Sequence, residues 1–194
     1  MNTDYLSYFN NLFLEQIRGI YFSDLIILLL MGALICFVPG YVLHIKKSIK
    51  TSRIVIIYLM VVYFGVILLL TILRRDAGSK SGEIYTDLNL GFTRAGVYSV
   101  RQFMYSLMNV ALFVPWGILL GLYRIGQPLI RIVFMTTITG FITSIAIEIT
   151  QNITRTGNFE VTDLFTNVVG TFIGAICVTM CVIILRRMKK NEAD

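Results

Sequence analysis

Polar side chains that could bind a ligand flank a short connection between two long apolar runs. Two are carboxylates, Glu148 and Asp163, and an amide lies at helical spacing after each, Gln151 at i+3 and Asn167 at i+4. Residues three or four apart share one face of a helix. A carboxylate inside a membrane span costs about 2.5–3.5 kcal/mol at the helix centre, so it persists where it is paired or faces water. The pattern therefore predicts a polar network between helices or a site for a headgroup, a peptide or an ion.

Three further polar residues are predicted to join these four. Arg101 and Asn109 lie early in another apolar run, and Arg155 follows Glu148 by seven residues. Either arginine could pair with Glu148, while Asp163 could pair with Arg155 or cap its own helix through backbone amides. The predicted binding set is Arg101, Asn109, Glu148, Gln151, Arg155, Asp163 and Asn167.

A purely structural role for the two acids is the alternative. One N-cap and one ion pair would account for both carboxylates and would hold helices together. They would not account for the amides at the same depth, because buried amides need partners. These amides are Asn109, Gln151, Asn152 and Asn167. The number of amides favours an outward-facing pocket, and the structural alternative stays open beside it.

Composition indicates an all-α integral membrane protein. Of 194 residues 56% are hydrophobic and 14% are charged, with a mean hydropathy of +0.76, whereas soluble domains carry roughly 25% charged residues. Residues 1–22 alternate apolar and polar side chains at helical spacing and predict an amphipathic helix on the membrane surface. Residues 23–190 form one domain with five predicted spans, at Leu25–Leu43, Ile54–Leu73, Phe103–Tyr123, Leu129–Ile149 and Leu164–Leu185.

The distribution of charge predicts the orientation of the chain. Ten basic residues lie on one side of the spans and seven on the other, while nine of the eleven acids lie on the side with fewer basic residues. Basic residues concentrate in short cytoplasmic loops. We therefore predict a multi-pass protein with its N-terminus outside and its C-terminus in the cytoplasm. The net charge of +6 is explained by these loops, so nucleic acid is not an expected partner.

Familiar catalytic patterns are missing from the sequence. The single histidine, His44, is remote from the polar cluster, and the chain carries no HExxH, GxSxG or glycine-rich phosphate loop. We predict neither a cofactor nor a metal, and no catalytic residue is assigned. The pair Glu148 and Asp163 could still perform acid–base chemistry or hold a divalent cation.

Three motifs resemble those of VanZ-like membrane proteins. Asn109 to Gly117 fits N-x-x-x-F-x-P-x-G, Glu148 to Gln151 fits E-x-x-Q, and Phe159 to Gly170 fits F-D-x-x-D-x-x-x-N-x-x-G with Glu160 in place of the usual aspartate. The motifs occur in order, and the resemblance covers residues 88–185. Family members often have a proline where LNLGF, residues 88–92, has Gly91, and many have an arginine before the third motif, where this chain has Arg155 and Gly157 nearby. The LNLGF segment itself predicts a short strand or a re-entrant piece.

The resemblance implies a bacterial plasma-membrane protein that lowers susceptibility to teicoplanin-type glycopeptide and lipoglycopeptide antibiotics. Together with the polar cluster, it suggests an extracytoplasmic pocket for a membrane lipid or a lipid-linked cell-wall component, with a glycopeptide as a further candidate partner. The alternatives are a membrane enzyme that modifies a lipid or cell-wall precursor through Glu148 and Asp163, and a structural or assembly partner. A transporter is disfavoured because the cytoplasmic halves of the spans are apolar.

Overall fold

The computed structural model describes residues 5–45, 50–91 and 99–192, which fold into six α-helices and one pair of very short strands. The first helix, α1, is Tyr5–Ile17, and five longer helices follow. They are α2, Phe22–Ile45; α3, Thr51–Leu68, which ends in a π-helical turn at Leu69–Leu73; α4, Val100–Tyr123; α5, Leu129–Thr154; and α6, Val161–Asn191. The predicted all-α membrane fold with a preceding N-terminal helix is confirmed.

Within the described residues, the five longer helices are long and apolar enough to cross a membrane, with the π-helical turn completing the second span. All five predicted spans coincide with them. The helices extend beyond the apolar runs at most ends, since polar residues outside the hydrocarbon continue the same backbone hydrogen bonding. The helix α6, for example, runs six residues past Leu185, through the basic residues up to Asn191.

Close packing of α4 against α6 forms the centre of the bundle. A Cβ atom at Gly117 would overlap the carbonyl oxygen of Thr171, and one at Gly170 would overlap that of Val110. Glycine at these positions brings the two backbones together, as is common where membrane helices associate through small residues. Gly174 lies equally close, since a Cβ atom there would overlap the carbonyl oxygen of Val114. Because both helices begin at the same end of the bundle, their first turns are held side by side.

An apolar cluster beside this contact ties α3 and α5 to α4. Its buried members are Ile67, Phe113, Trp116, Leu120 and Ile147. Burial of such side chains leaves few voids and makes the region resistant to rearrangement. This core therefore holds in place the helix ends that carry the polar groups.

The end of the bundle that carries α1, here called the α1 end, also holds the end of α3, the start of α4 and the connection from α5 to α6. Strand β1, Ile84–Tyr85, pairs in parallel with strand β2, Phe159–Glu160. This pairing joins the α3–α4 connection to the α5–α6 connection. Of the two structures predicted for LNLGF, a short strand or a re-entrant piece, the strand is wrong for the described residues 88–91, because the strand lies earlier. Asn89 instead donates its backbone N–H to Thr162 Oγ1 at 2.9 Å. The last residue of that segment, Phe92, lies outside the described residues.

Candidate functional site

An open cavity of about 580 Å³ lies at the α1 end of the bundle, and we call it the polar cavity. Residues of α1, α4, the start of α6 and both long connections line it. Of the seven predicted site residues, Arg101, Asn109 and Asp163 line the polar cavity, and Glu148, Gln151, Arg155 and Asn167 do not. The structure thus divides the predicted cluster into cavity-lining residues and residues that lie behind or beside the cavity.

Asn109 of α4 faces Asp163 of α6 at the wall of the polar cavity. The Asn109 side chain is within hydrogen-bonding reach of the Asp163 carboxyl group, and both side chains remain partly accessible. Asp163 lies in the first turn of α6, where the N-cap residue is Glu160. The N-cap position predicted for Asp163 is therefore wrong by three residues, although a carboxylate in the first helical turn still suits the helix dipole.

Glu148 is buried behind the cavity, with 2% of its surface exposed. Its Oε2 accepts the backbone N–H of Glu160 at 3.0 Å. This bond satisfies an amide at the start of α6 from a neighbouring helix, much as a capping-box glutamate does within one helix. Glu148 therefore fixes the start of α6, and with it the position of Asp163.

Gln151 joins the end of α5 to the end of α3. Its Nε2 donates to the carbonyl oxygen of Thr71 at 3.0 Å. That carbonyl lies within the π-helical turn. The backbone N–H of Arg75, which would bond it in a regular α-helix, donates to the carbonyl oxygen of Ile72. The Thr71 carbonyl can therefore accept a hydrogen bond from another helix. The backbone carbonyl of Gln151 accepts from Thr156 and Gly157, which closes the end of α5.

The remaining two predicted residues lie in different surroundings. Asn167 is buried between α5 and α6, where its Nδ2 donates to Ser144 Oγ at 2.9 Å. Arg155 is the exposed C-cap residue of α5, with a left-handed φ of 54°. Its carbonyl oxygen accepts the Lys80 N–H at 2.9 Å. The contribution of Arg155 to the fold therefore comes from its backbone, which closes a helix and holds the long connection.

Arg101 faces α1 and its own helix. Its Nη2 lies 3.8 Å from Glu15 Oε1, and both side chains are more than half exposed, so solvent screens the pair strongly. It also donates to Tyr105 Oη at 3.2 Å. The pairing expected between Arg101 or Arg155 and the two acids is wrong, because neither guanidinium lies against Glu148 or Asp163 in the described structure.

Among the described residues, Arg75 is the cation that faces Glu148 and Asp163, which the sequence pattern did not predict. It interacts electrostatically most strongly with Asp163, then with Glu148 and Glu160. Burial lowers the pKa of the Arg75 guanidinium, and these three carboxylates oppose that change. Among the described residues its side chain makes one hydrogen bond, a long one of 3.4 Å from Nη1 to the carbonyl oxygen of Thr156. Arg75 therefore keeps several N–H donors for a further acceptor.

Glu160 is the third carboxylate of this group, and it lines the polar cavity. Burial raises the pKa of its carboxyl group above the ordinary value, while Arg75 and Lys80 act in the opposite direction. With Asp163 it presents two carboxyl groups opposite Arg75. A ligand in the polar cavity would thus meet both hydrogen-bond acceptors and a guanidinium.

A second cavity, of about 370 Å³, extends between α1, the end of α3 and the first half of α4, and we call it the apolar cavity. Phe9, Phe13 and Ile17 line it from α1, and Leu107, Met108, Ala111 and Leu112 line it from α4. Four residues line both cavities, namely Gln16, Arg75, Tyr105 and Asn109. The polar and apolar cavities therefore meet at Arg75 and Asn109.

Comparison with known proteins finds a match to the VanZ/LLP1 family over residues 25–185. The chain belongs to the VanZ/LLP1 family. It is accordingly a VanZ-like, multi-pass membrane protein associated with resistance. No curated protein and no solved structure matches the chain.

The part of the chain matched to the VanZ/LLP1 family contains most of the cavity walls. It begins at Leu25, after α1, so the α1 residues that line both cavities precede the matched segment. Within the described residues no three His, Cys, Asp or Glu side chains are grouped so as to hold a metal ion. The residues that line the polar cavity of this VanZ-like protein offer hydrogen-bond donors and acceptors and charges of both signs.

Proposed function

We propose that this VanZ-like protein lowers the susceptibility of a bacterium to teicoplanin-type glycopeptides by binding a lipid or cell-wall component in the polar cavity, on the extracytoplasmic side of the plasma membrane. One observation carries the proposal. The wall of a cavity large enough for a headgroup brings together Asn109, Asp163 and Arg75, and most N–H donors of Arg75 have no hydrogen bond among the described residues. Buried polar groups without enough partners are costly, so such an arrangement suits a bound polar ligand.

Each of these side chains offers a different interaction. Arg75 offers charged N–H donors to a phosphate, carboxylate or carbonyl oxygen. Asp163 and Glu160 accept from hydroxyl or amine groups, and Asn109 can both donate and accept. Binding is favoured over acid–base catalysis by Glu148 and Asp163, because Glu148 is 2% exposed and does not line the cavity.

The test compares two aspartate-to-asparagine variants in a susceptible host. Asp163→Asn changes the cavity wall, while Asp24→Asn changes a residue of α2 that bonds the Tyr21 N–H at 2.9 Å outside either cavity. We expect Asp163→Asn to restore teicoplanin susceptibility at wild-type membrane abundance, and Asp24→Asn to leave resistance unchanged. Full resistance in cells that carry normally expressed Asp163→Asn would contradict the proposal.

A further inference from the structure

The two cavities together have the form of a site for an amphiphile. The polar cavity is lined by basic and acidic side chains, and the apolar cavity by aromatic and aliphatic ones. They share four lining residues, so a single molecule can occupy both. A soluble headgroup or peptide would leave the apolar cavity unfilled.

The position of the apolar cavity points to a hydrocarbon chain as its occupant. On α4, Leu107 to Leu112 lie seven to twelve residues after the first helical residue, which at 1.5 Å per residue is roughly 10–18 Å into the span. At that depth the surrounding phase is hydrocarbon. The exposed Leu107 and Ala111 lie on its wall, so a chain can enter sideways from the membrane.

The residues at the junction between the two cavities indicate that the ligand carries a phosphate group there. Arg75 is the charged residue that lines both cavities, and its donors are largely unused among the described residues. An arginine at the boundary between an apolar and a polar compartment meets the phosphate of a lipid whose chain lies below and whose headgroup lies above. Asp163 and Glu160 line the polar cavity, where they can accept from headgroup hydroxyl or amine groups.

We infer that this protein binds one phospholipid, with an acyl chain in the apolar cavity, its phosphate at Arg75 and its headgroup donors at Asp163 and Glu160. This inference rests on the proposed function and specifies the class of its ligand. The helix α1 covers the site: Arg74 Nη2 donates to Gln16 Oε1 at 2.6 Å, and Gln16 lines both cavities. The bound chain would therefore lie between α1 and α4.

The test blocks the apolar cavity and leaves the polar one intact. Ala111→Phe places a ring in the apolar cavity, and Ala146→Phe makes the same change at an exposed position of α5 outside both cavities. The full chain is reconstituted in phosphatidylcholine vesicles that contain a trace of phosphatidylglycerol with a nitroxide near the end of one chain. The immobilised fraction of the label is measured by electron paramagnetic resonance, with unlabelled phosphatidylglycerol, diacylglycerol and free glycerol phosphate as competitors.

We expect a saturable immobilised fraction that unlabelled phosphatidylglycerol displaces and that diacylglycerol and glycerol phosphate do not. Ala111→Phe should abolish it and Ala146→Phe should retain it. Arg75→Gln should weaken it about tenfold, because a hydrogen bond to a charged group is lost. Should Ala111→Phe fail to fold, Leu107→Trp fills the same cavity from a residue that is 47% exposed.

Three results would overturn the inference: retention of the bound label in both cavity-filling variants, equal displacement by diacylglycerol, or displacement by glycerol phosphate alone. Teicoplanin susceptibility of the same strains separates this inference from the proposed function. If a cavity-filling variant loses lipid binding and its strain keeps resistance, the result supports the lipid site and contradicts the proposed function. Loss of resistance in Asp163→Asn, with lipid binding insensitive to Ala111→Phe, contradicts the lipid site and leaves the proposed function standing.

Discussion

The buried Glu148 bonds a backbone amide within the protein and does not line the polar cavity. Its carboxyl group accepts the N–H of Glu160 and is otherwise enclosed by protein. The start of α6 depends on this bond, because Glu160 makes no side-chain cap of its own within the described structure. Glu148 thus acts on the polar cavity indirectly, through the position of the first turn of α6.

Replacing Glu148 separates its function as an acceptor from its charge. Glu148→Gln keeps an oxygen for the Glu160 N–H, while Glu148→Ala leaves that amide unsatisfied, which should lower the free energy of unfolding by about 1–3 kcal/mol. Equilibrium unfolding in mixed dodecylmaltoside and SDS micelles, followed by the fluorescence of the single tryptophan Trp116, measures the difference. Equal destabilisation by both variants would show that the charge matters and the bond does not.

Glu160 makes the stability of the cavity wall depend on pH. Burial raises the pKa of its carboxyl group in the folded protein, so the folded state binds a proton more readily than the unfolded chain. The associated stabilisation is present at low pH and is lost as the pH rises through the folded pKa. We expect the free energy of unfolding of the wild type, relative to Glu160→Gln, to fall with rising pH in the same micelle assay. A rise would mean that attraction by Arg75 outweighs burial.

Individual contacts could be predicted where polar residues recur at helical spacing on neighbouring spans. Asn109 and Asp163 were expected on facing helices, and the structure brings them together. Arg75 was missed because its location depends on the π-helical turn at Leu69–Leu73. A run of aliphatic residues does not distinguish that turn from ordinary helix. Arg101 and Arg155 were possible partners for the acids because they lie at the same ends of the spans. In the structure Arg101 lies against Glu15 of α1, and Arg155 bonds Lys80 through its backbone.

At the scale of whole helices, the packing of α4 against α6 determines how the cavity wall is assembled. The apolar runs were sufficient to predict all five spans, since a helix that crosses the membrane must satisfy its backbone internally. The strand pair was not predictable, because two residues on each side carry too little pattern. The helix α1 was predicted from its spacing, whereas its contacts with Arg74 and Arg101 required the folded chain.

Two glycines of α4 allow this packing to be tested with the same substitution. A methyl group at Gly117 would overlap the backbone of Thr171, which cannot give way, whereas one at Gly121 would lie 3.2 Å from the Val178 side chain. We expect Gly117→Ala to lower the free energy of unfolding by about 1–3 kcal/mol. Gly121→Ala should leave the free energy of unfolding nearly unchanged. Alanine is a better helix former than glycine by about 1 kcal/mol, which offsets the tight contact with Val178. Equal stability of the two variants would contradict the close approach of α4 and α6.

For the molecule as a whole, the proposed function requires that the α1 end faces outward. The charge distribution supports that orientation, with more basic residues at the opposite end. A phospholipid or cell-wall ligand from the outer leaflet can reach the polar cavity only if this orientation holds. Two exposed serines at opposite ends of the bundle, Ser79 and Ser52, provide a matched measurement.

We predict that a membrane-impermeant maleimide labels Ser79→Cys in intact cells and labels Ser52→Cys only after permeabilisation. The wild type serves as the control, since its cysteines Cys36, Cys177 and Cys181 lie within the spans, where the charged reagent does not reach. Ser79 follows α3 at the α1 end, and Ser52 lies in the first turn of the same helix at the other end. The reverse labelling pattern would place the polar cavity in the cytoplasm and would exclude an extracytoplasmic ligand.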